Sequence, residues 1–126
     1  MKDFKKYYIL HAEPEIVYAG LTNPYTIRLW SGEEAVMSEE EGSEFELWSG
    51  SISGKNLRFE KAKQIVQQWY FEGQETESIV TIKLHAHKQG TSVEVKHTNI
   101  PDEAFEDISE GWSDAYMGAL SEFYED

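Results

Sequence analysis

Cysteine is absent from this chain, which excludes disulfide crosslinks, thiolate nucleophiles and cysteine-ligated zinc. Long apolar runs are absent as well. The N-terminus, Met1-Lys2-Asp3-Phe4-Lys5-Lys6, is basic but leads into no hydrophobic stretch. Neither a signal peptide nor membrane insertion is therefore expected, and the expected location is cytoplasmic. Positive charge is scarce: 11 Lys and Arg stand against 24 Asp and Glu, for a net charge of −13. A surface of that sign repels nucleic acid and anionic membranes, so neither is an expected partner. There is no G-x-S-x-G nucleophile elbow. The glycine-rich stretch Ser49-Gly50-Ser51-Ile52-Ser53-Gly54 lacks the Lys-Ser/Thr and helix that a phosphate-cradling loop requires.

What the chain does have is aromatic bulk. Aromatics make up 13% of its 126 residues, and Trp30, Trp48, Trp69 and Trp112 are spread along its length. Large rings bury much area each, so a substantial core is within reach of one domain of this size. A single domain over residues 1–126 is expected.

Phe4 to His11 reads as a first strand. Pro14 suits the first turn of a helix that ends at Asn23-Pro24, where a second short helix begins and runs to Trp30-Ser31-Gly32. Strands then follow over Glu44 to Trp48, Ile52 to Glu60, Gln64 to Phe71, Ser78 to Lys88 and Thr91 to Asn99. Gln89-Gly90 reads as a two-residue hairpin turn. That register would face Ile82 with His97, Leu84 with Val95 and Ala86 with Val93. It would leave Lys83, His85 and His87 on the other face with Lys96, Glu94 and Ser92. After Asn99-Ile100-Pro101, Asp102 is placed to cap a helix with Glu103 and Glu106 in its first turn. Phe105, Ile108, Trp112, Ala115, Tyr116, Ala119 and Phe123 recur at helical spacing and form one apolar stripe. Gly111, costing about 1 kcal/mol against alanine inside a helix, suggests close backbone contact beside Trp112. Glu122, Glu125 and Asp126 oppose the helix dipole at its end.

Basic residues are unevenly placed. No Lys or Arg lies between Arg28 and Lys55, or anywhere after Lys96. The two acidic stretches this leaves, including Glu39-Glu40-Glu41, read as solvated surface or as a docking face for a basic partner. His85-x-His87, with Glu94 across the hairpin, has the residue types of a divalent-metal site. Its place on an outer sheet face among lysines predicts no metal. His97, on the inner face, reads as a satisfied buried histidine or a polar anchor in an apolar pocket.

Several segments together resemble one known family. Ala12-Glu13-Pro14-Glu15-Ile16-Val17-Tyr18 with Leu21-Thr22-Asn23-Pro24 is similar to the helix entry of domains like the C-terminal domain of the heat-shock protein 90 ATPase activator. Ser43-Glu44-Phe45, Gly50-Ser51-Ile52-Ser53-Gly54 and Gln64-Ile65-Val66-Gln67-Gln68-Trp69 extend the likeness. So does Asn99-Ile100-Pro101 followed by Gly111-Trp112 and Tyr116. The resemblance implies an α+β, START-like helix-grip fold. In it a curved antiparallel sheet wraps a long C-terminal helix, with two short helices after the first strand. It further implies a non-enzymatic binding domain without a cofactor. The expected ligand is an apolar small molecule or lipid, or a protein partner, held between sheet and helix by Trp30, Phe45, Leu47, Trp69, Ile82, Leu84, Val95, His97, Trp112 and Tyr116. A co-chaperone-like regulator of heat-shock protein 90 is the alternative, and a cyclase- or hydrolase-like enzyme of the same superfamily is a third.

Overall fold

The computed structural model describes residues 1–74 and 76–125; Glu75 and the expected dipole-opposing Asp126 lie outside the described residues. Six strands form one antiparallel sheet: β1 (Lys2–Leu10), β2 (Glu44–Leu47), β3 (Ile52–Glu60), β4 (Gln64–Trp69), β5 (Ser78–His87) and β6 (Gly90–Ile100). They lie in the order β1-β6-β5-β4-β3-β2, so only β1 reaches across the fold, closing onto β6. Two short helices, α1 (Pro14–Thr22) and α2 (Pro24–Ser31), follow β1. Each opens on the expected proline, and the Asn23 side chain caps α2 by accepting from the amides of Tyr25 and Thr26. Gly32, left-handed at φ 76°, ends it. The C-terminal helix, residues 102–123, lies across the concave face of the sheet. This is the helix-grip architecture that the resemblance implied. No helix among the described residues is long and apolar enough to cross a membrane.

Alternation along the strands positions the core. In β4, Ile65, Gln67 and Trp69 point inward; in β5 and β6 the inward set is Val80, Ile82, Leu84, Val93, Val95 and His97. The hairpin register differs from the expectation. The turn is Lys88-Gln89, with His87 opposite Gly90, and the facing pairs are Val80–His97, Ile82–Val95 and Leu84–Val93. The slip is two residues. Side chains alternate with period two, so every residue stays on its expected face while its partner changes.

The C-terminal helix departs more sharply. It starts as a 3₁₀ turn (Asp102–Ala104) that Asp102 does not cap through its side chain. It continues as α-helix over Phe105–Gly111, widens into a π-helical turn over Trp112–Tyr116 and resumes over Met117–Phe123. A π turn takes up one extra residue and so rotates everything after it. Trp112 and Tyr116 keep their buried places, but Met117 and Leu120 are buried next, at 1% and 0% exposure. The expected Ala119 is half-buried against the core, but Ala115 is exposed and Phe123 is 39% exposed. Gly111 has open space where a side chain would sit, so close packing does not explain it. Crowding falls instead on Gly54, where an added Cβ would meet the Gln68 carbonyl and the Phe45 ring.

Candidate functional site

The four tryptophans, distant in sequence, converge where the helix crosses the open end of the sheet. Trp69 on β4 stacks on Trp112 of the helix, with centroids 4.9 Å apart and planes at 22°. Trp112 stacks in turn on Tyr116 at 4.7 Å and 25°. Trp30, at the end of α2, leans on Tyr116 at 5.2 Å, and Trp48 meets both Trp30 and Tyr116 edge-on at 5.8 and 5.5 Å. Offset stacks and edge-on contacts are the arrangements aromatic quadrupoles favour. Trp112 and Tyr116, four residues apart across the π turn, both face the buried side.

Each buried indole N–H has a partner. Trp30 donates to the Gly20 carbonyl at 2.8 Å. Trp69 donates to Gln67 Oε1 at 3.1 Å; Gln67 Nε2 donates to Asn56 Oδ1 at 3.0 Å; and Asn56 Nδ2 donates to Ser43 Oγ at 3.1 Å. Trp112 donates to His97 Nδ1 at 3.1 Å. An indole can only donate, so Nδ1 accepts and the imidazole proton sits on Nε2. From there it is donated to Ser78 Oγ at 2.8 Å, and the Ser78 hydroxyl passes on to the Thr98 carbonyl at 3.0 Å. Burial holds His97 well below the ordinary imidazole range, at about 4, against a smaller upward pull from Asp3. His97 is therefore a neutral clamp between sheet and helix, with both nitrogens committed.

Above the column lies a groove of about 420 Å³, open to solvent. Trp48, Ile52 and Trp69 line it from the sheet side, and Ile108, Gly111, Trp112, Ala115 and Tyr116 from the helix, with Glu33 and Asp107 at its rim. Trp48 is set there by the four-residue loop between β2 and β3, in which Trp48 (φ 50°), Ser49 (φ 54°) and Gly50 (φ 94°) are all left-handed. Two consecutive non-glycine residues in that region store strain of about 1–3 kcal/mol each, of the kind found at ligand clamps. Tyr116 is only 2% exposed, yet it lines the groove. Its burial pushes the phenol far above its usual pKa.

Of the residues expected to line a site, Trp69, Trp112 and Tyr116 reach this groove. Trp30 supports Tyr116 from behind. Phe45, Leu47, Ile82, Leu84, Val95 and His97 sit deeper, in the packed core or beside it, and line no part of the groove. The reason is that Trp69 and Trp112, stacked directly, fill the space between sheet and helix over these residues. The sequence reading missed Trp48, Ile52, Ile108 and Ala115, and also the buried Asn56–Gln67 ladder. Ile108 and Ala115 were expected in the helix's apolar stripe but not as lining, and Trp48 and Ile52 flank a loop, where periodicity gives no signal.

On the opposite sheet face, His85 Nε2 lies 3.2 Å from Glu94 Oε1 and Lys5 Nζ is 3.9 Å from Glu94 Oε2. The contact to His85 is diagonal, since Glu94 directly opposes Lys83. Burial pushes the Glu94 carboxyl up, but His85, Lys5, Tyr7 and Lys83 together hold it below the usual range. His87 is turned away, its Nδ1 accepting from the Gln89 amide. No group of three or more metal-ligating side chains occurs among the described residues.

Residues 11–125 match the family described as Activator of Hsp90 ATPase homolog 1-like protein. An activator of 90 kDa heat shock protein ATPase homolog from Dictyostelium discoideum is 32% identical over 103 residues, which is 79% of this chain and 27% of that protein. The chain thus spans about a quarter of that relative's length. The crystal structure of an HSP90 activator from Plasmodium falciparum superposes with a TM-score of 0.87 at 26% identity, covering 96% of this chain and 94% of the other. An Aha1 dimer from Colwellia psychrerythraea has the same fold, with a TM-score of 0.86 at 18% identity over 99% and 97% of the two chains.

Proposed function

The chain belongs to the family of Activator of Hsp90 ATPase homolog 1-like proteins, and from that premise we propose that it is a non-catalytic binding domain that engages a chaperone-class protein partner through the aromatic groove. One observation carries the reading. The groove presents a ready-made apolar surface at the helix–sheet junction, backed by an aromatic column whose buried polar groups are already satisfied. Such a surface is preorganised for contact and needs little rearrangement on binding. The chain's similarity to activators of heat-shock protein 90 supports a partner of that kind.

Catalysis finds little to work with. The titratable groups lining the groove are Glu33 and Asp107 on its rim and the Tyr116 phenol. The phenol is held far from neutral titration by burial. His97, the natural candidate base, is sealed beneath Trp112. The cyclase- or hydrolase-like alternative would need an acid and a base aimed at one point. A second reading, a small apolar ligand, is favoured by the groove's volume, which falls in the range of small-molecule sites.

The test is calorimetric titration of the chain into a 90 kDa heat-shock ATPase, with turnover of that ATPase followed in parallel. Saturable binding is expected, and Ala115→Arg, which fills the groove from an exposed position, is expected to abolish it without lowering the melting temperature. Absence of both binding and stimulation removes the chaperone reading. Native mass spectrometry showing a retained apolar molecule would favour the second.

A further inference from the structure

We propose that the groove accepts a lysine or arginine side chain from a basic segment of the partner protein, its aliphatic stem lying on the rings and its charge held by the acidic rim. This rests on the groove being the binding surface and adds the chemistry of what enters it.

The first ground is where the walls come from. Every lining residue except Trp69 belongs to one of two segments, 29–54 or 97–126, that contain no Lys or Arg. The fold brings together the two longest stretches of the sequence without Lys or Arg and faces them across an apolar floor. Glu33 stands on one wall and Asp107 on the other, both exposed. A shallower hollow continues along the helix, sharing Trp48 and Ala115 and carrying Asp114 and Glu122. Arg28 pairs with Glu34 at 3.1 Å, and Lys6 reaches Ser113, at the edge of that hollow, at 3.4 Å. Neither lines the groove.

The second ground is the floor. A purely apolar occupant would make no use of the two exposed rim carboxylates. A cationic side chain gains from both floor and rim. Its methylenes match the aromatic surface, and its charge is attracted both by ring faces and by carboxylates. The Tyr116 side chain lines the groove, and its hydroxyl oxygen can accept from an ammonium or guanidinium. Rings held in the column by mutual stacking, and Trp48 held in a strained loop, offer these contacts without having to be ordered first.

The experiment uses the peptide acetyl-Gly-Leu-Lys-Leu-Gly-amide and its counterparts with norleucine or glutamate in place of lysine. Binding to the full chain is followed by the indole N–H signal of Trp48 in nitrogen-15 spectra. The lysyl peptide is expected to move that signal and to bind more tightly than the norleucine peptide, and the glutamyl peptide to leave it unmoved. The double variant Glu33→Gln, Asp107→Asn is expected to weaken the lysyl peptide about tenfold and to flatten its salt dependence. That variant should leave norleucine binding as it was. Equal or tighter binding of the norleucine peptide, or an unchanged lysyl affinity in the double variant, overturns the inference and leaves the groove as a binding surface. If no peptide moves Trp48 while the chain still binds the heat-shock ATPase, the inference falls and the functional proposal stands. Loss of both removes both.

Discussion

The two faces of the hairpin formed by β5 and β6 both carry histidine, and they treat it in opposite ways. On the inner face His97 is wholly buried, neutral and bonded at both nitrogens to Trp112 and Ser78. On the outer face His85, about half exposed, leans against Glu94 among the lysines of a solvated surface. Residue type and strand are nearly the same; only the side of the pleat differs. What separates a structural clamp from a surface ion pair is desolvation, which makes every bond to His97 obligatory and every bond to His85 optional.

This contrast makes graded predictions. The largest effect belongs to the inner face: Trp112→Ala should lower stability by about 3–5 kcal/mol in chemical denaturation, since it removes the centre of the aromatic column and orphans His97 Nδ1. A loss below about 1 kcal/mol would break the comparison, because the inner face would then not be what holds the helix.

Next comes pH. His97 sits near 4 when folded and near 6.5 when unfolded, so between those values the unfolded chain binds the extra proton. Stability contributed by neutral His97 is therefore complete above pH 6.5 and lost as pH falls towards 4. At 1.36 kcal/mol per pKa unit the loss approaches about 3 kcal/mol. Acid also removes whatever Glu94 contributes, since its carboxyl is likewise held low, so the measurement must be differential. The stability gap between the native chain and His97→Gln should narrow as pH is lowered from 7 to 4. A gap that stays constant would mean His97 does not titrate as its burial requires.

A smaller loss, about 1–3 kcal/mol, is expected for Ser78→Ala, which leaves the buried His97 Nε2–H with no acceptor. The smallest belongs to the outer face. His85→Ala should change stability by less than about 1 kcal/mol, as an exposed pair does, and elemental analysis of the untagged protein should find no stoichiometric divalent ion. A metal that disappears in His85→Ala would sharpen the comparison in the other direction, giving the outer face a site.

Much of the fold was readable because it rests on local rules. Pro14, Asn23-Pro24 and Gly32 punctuate α1 and α2 where their backbone chemistry requires, and alternation assigned the faces of β5 and β6 even though the partner register was two residues off. The failures share a cause. The stripe predicted for the C-terminal helix held at Trp112 and Tyr116 but failed at Ala115 and Phe123, which are exposed, because a π turn is a local fault that 3.6-residue periodicity cannot announce. Asn56 and Gln67 are polar residues buried inside strands, and what accounts for them is a tertiary partner, the Trp69 N–H. The groove was half visible: its floor residues Trp69, Trp112 and Tyr116 stood out as large aromatics. Trp48, Ile52, Ile108 and Ala115 entered it only through the geometry of a loop and of one face of a helix.

By itself, then, the sequence determined the elements, their faces, the absence of thiol chemistry and the separation of charge along the chain, because each depends on residue type and short-range spacing. The tertiary structure alone decided that four tryptophans spread from Trp30 to Trp112 should meet, that His97 should be sealed beneath one of them, and that two distant segments lacking positive charge should become facing walls. Those outcomes depend on strand order, on where the C-terminal helix crosses the sheet and on the strained loop at Trp48, none of which has a signature shorter than the fold itself.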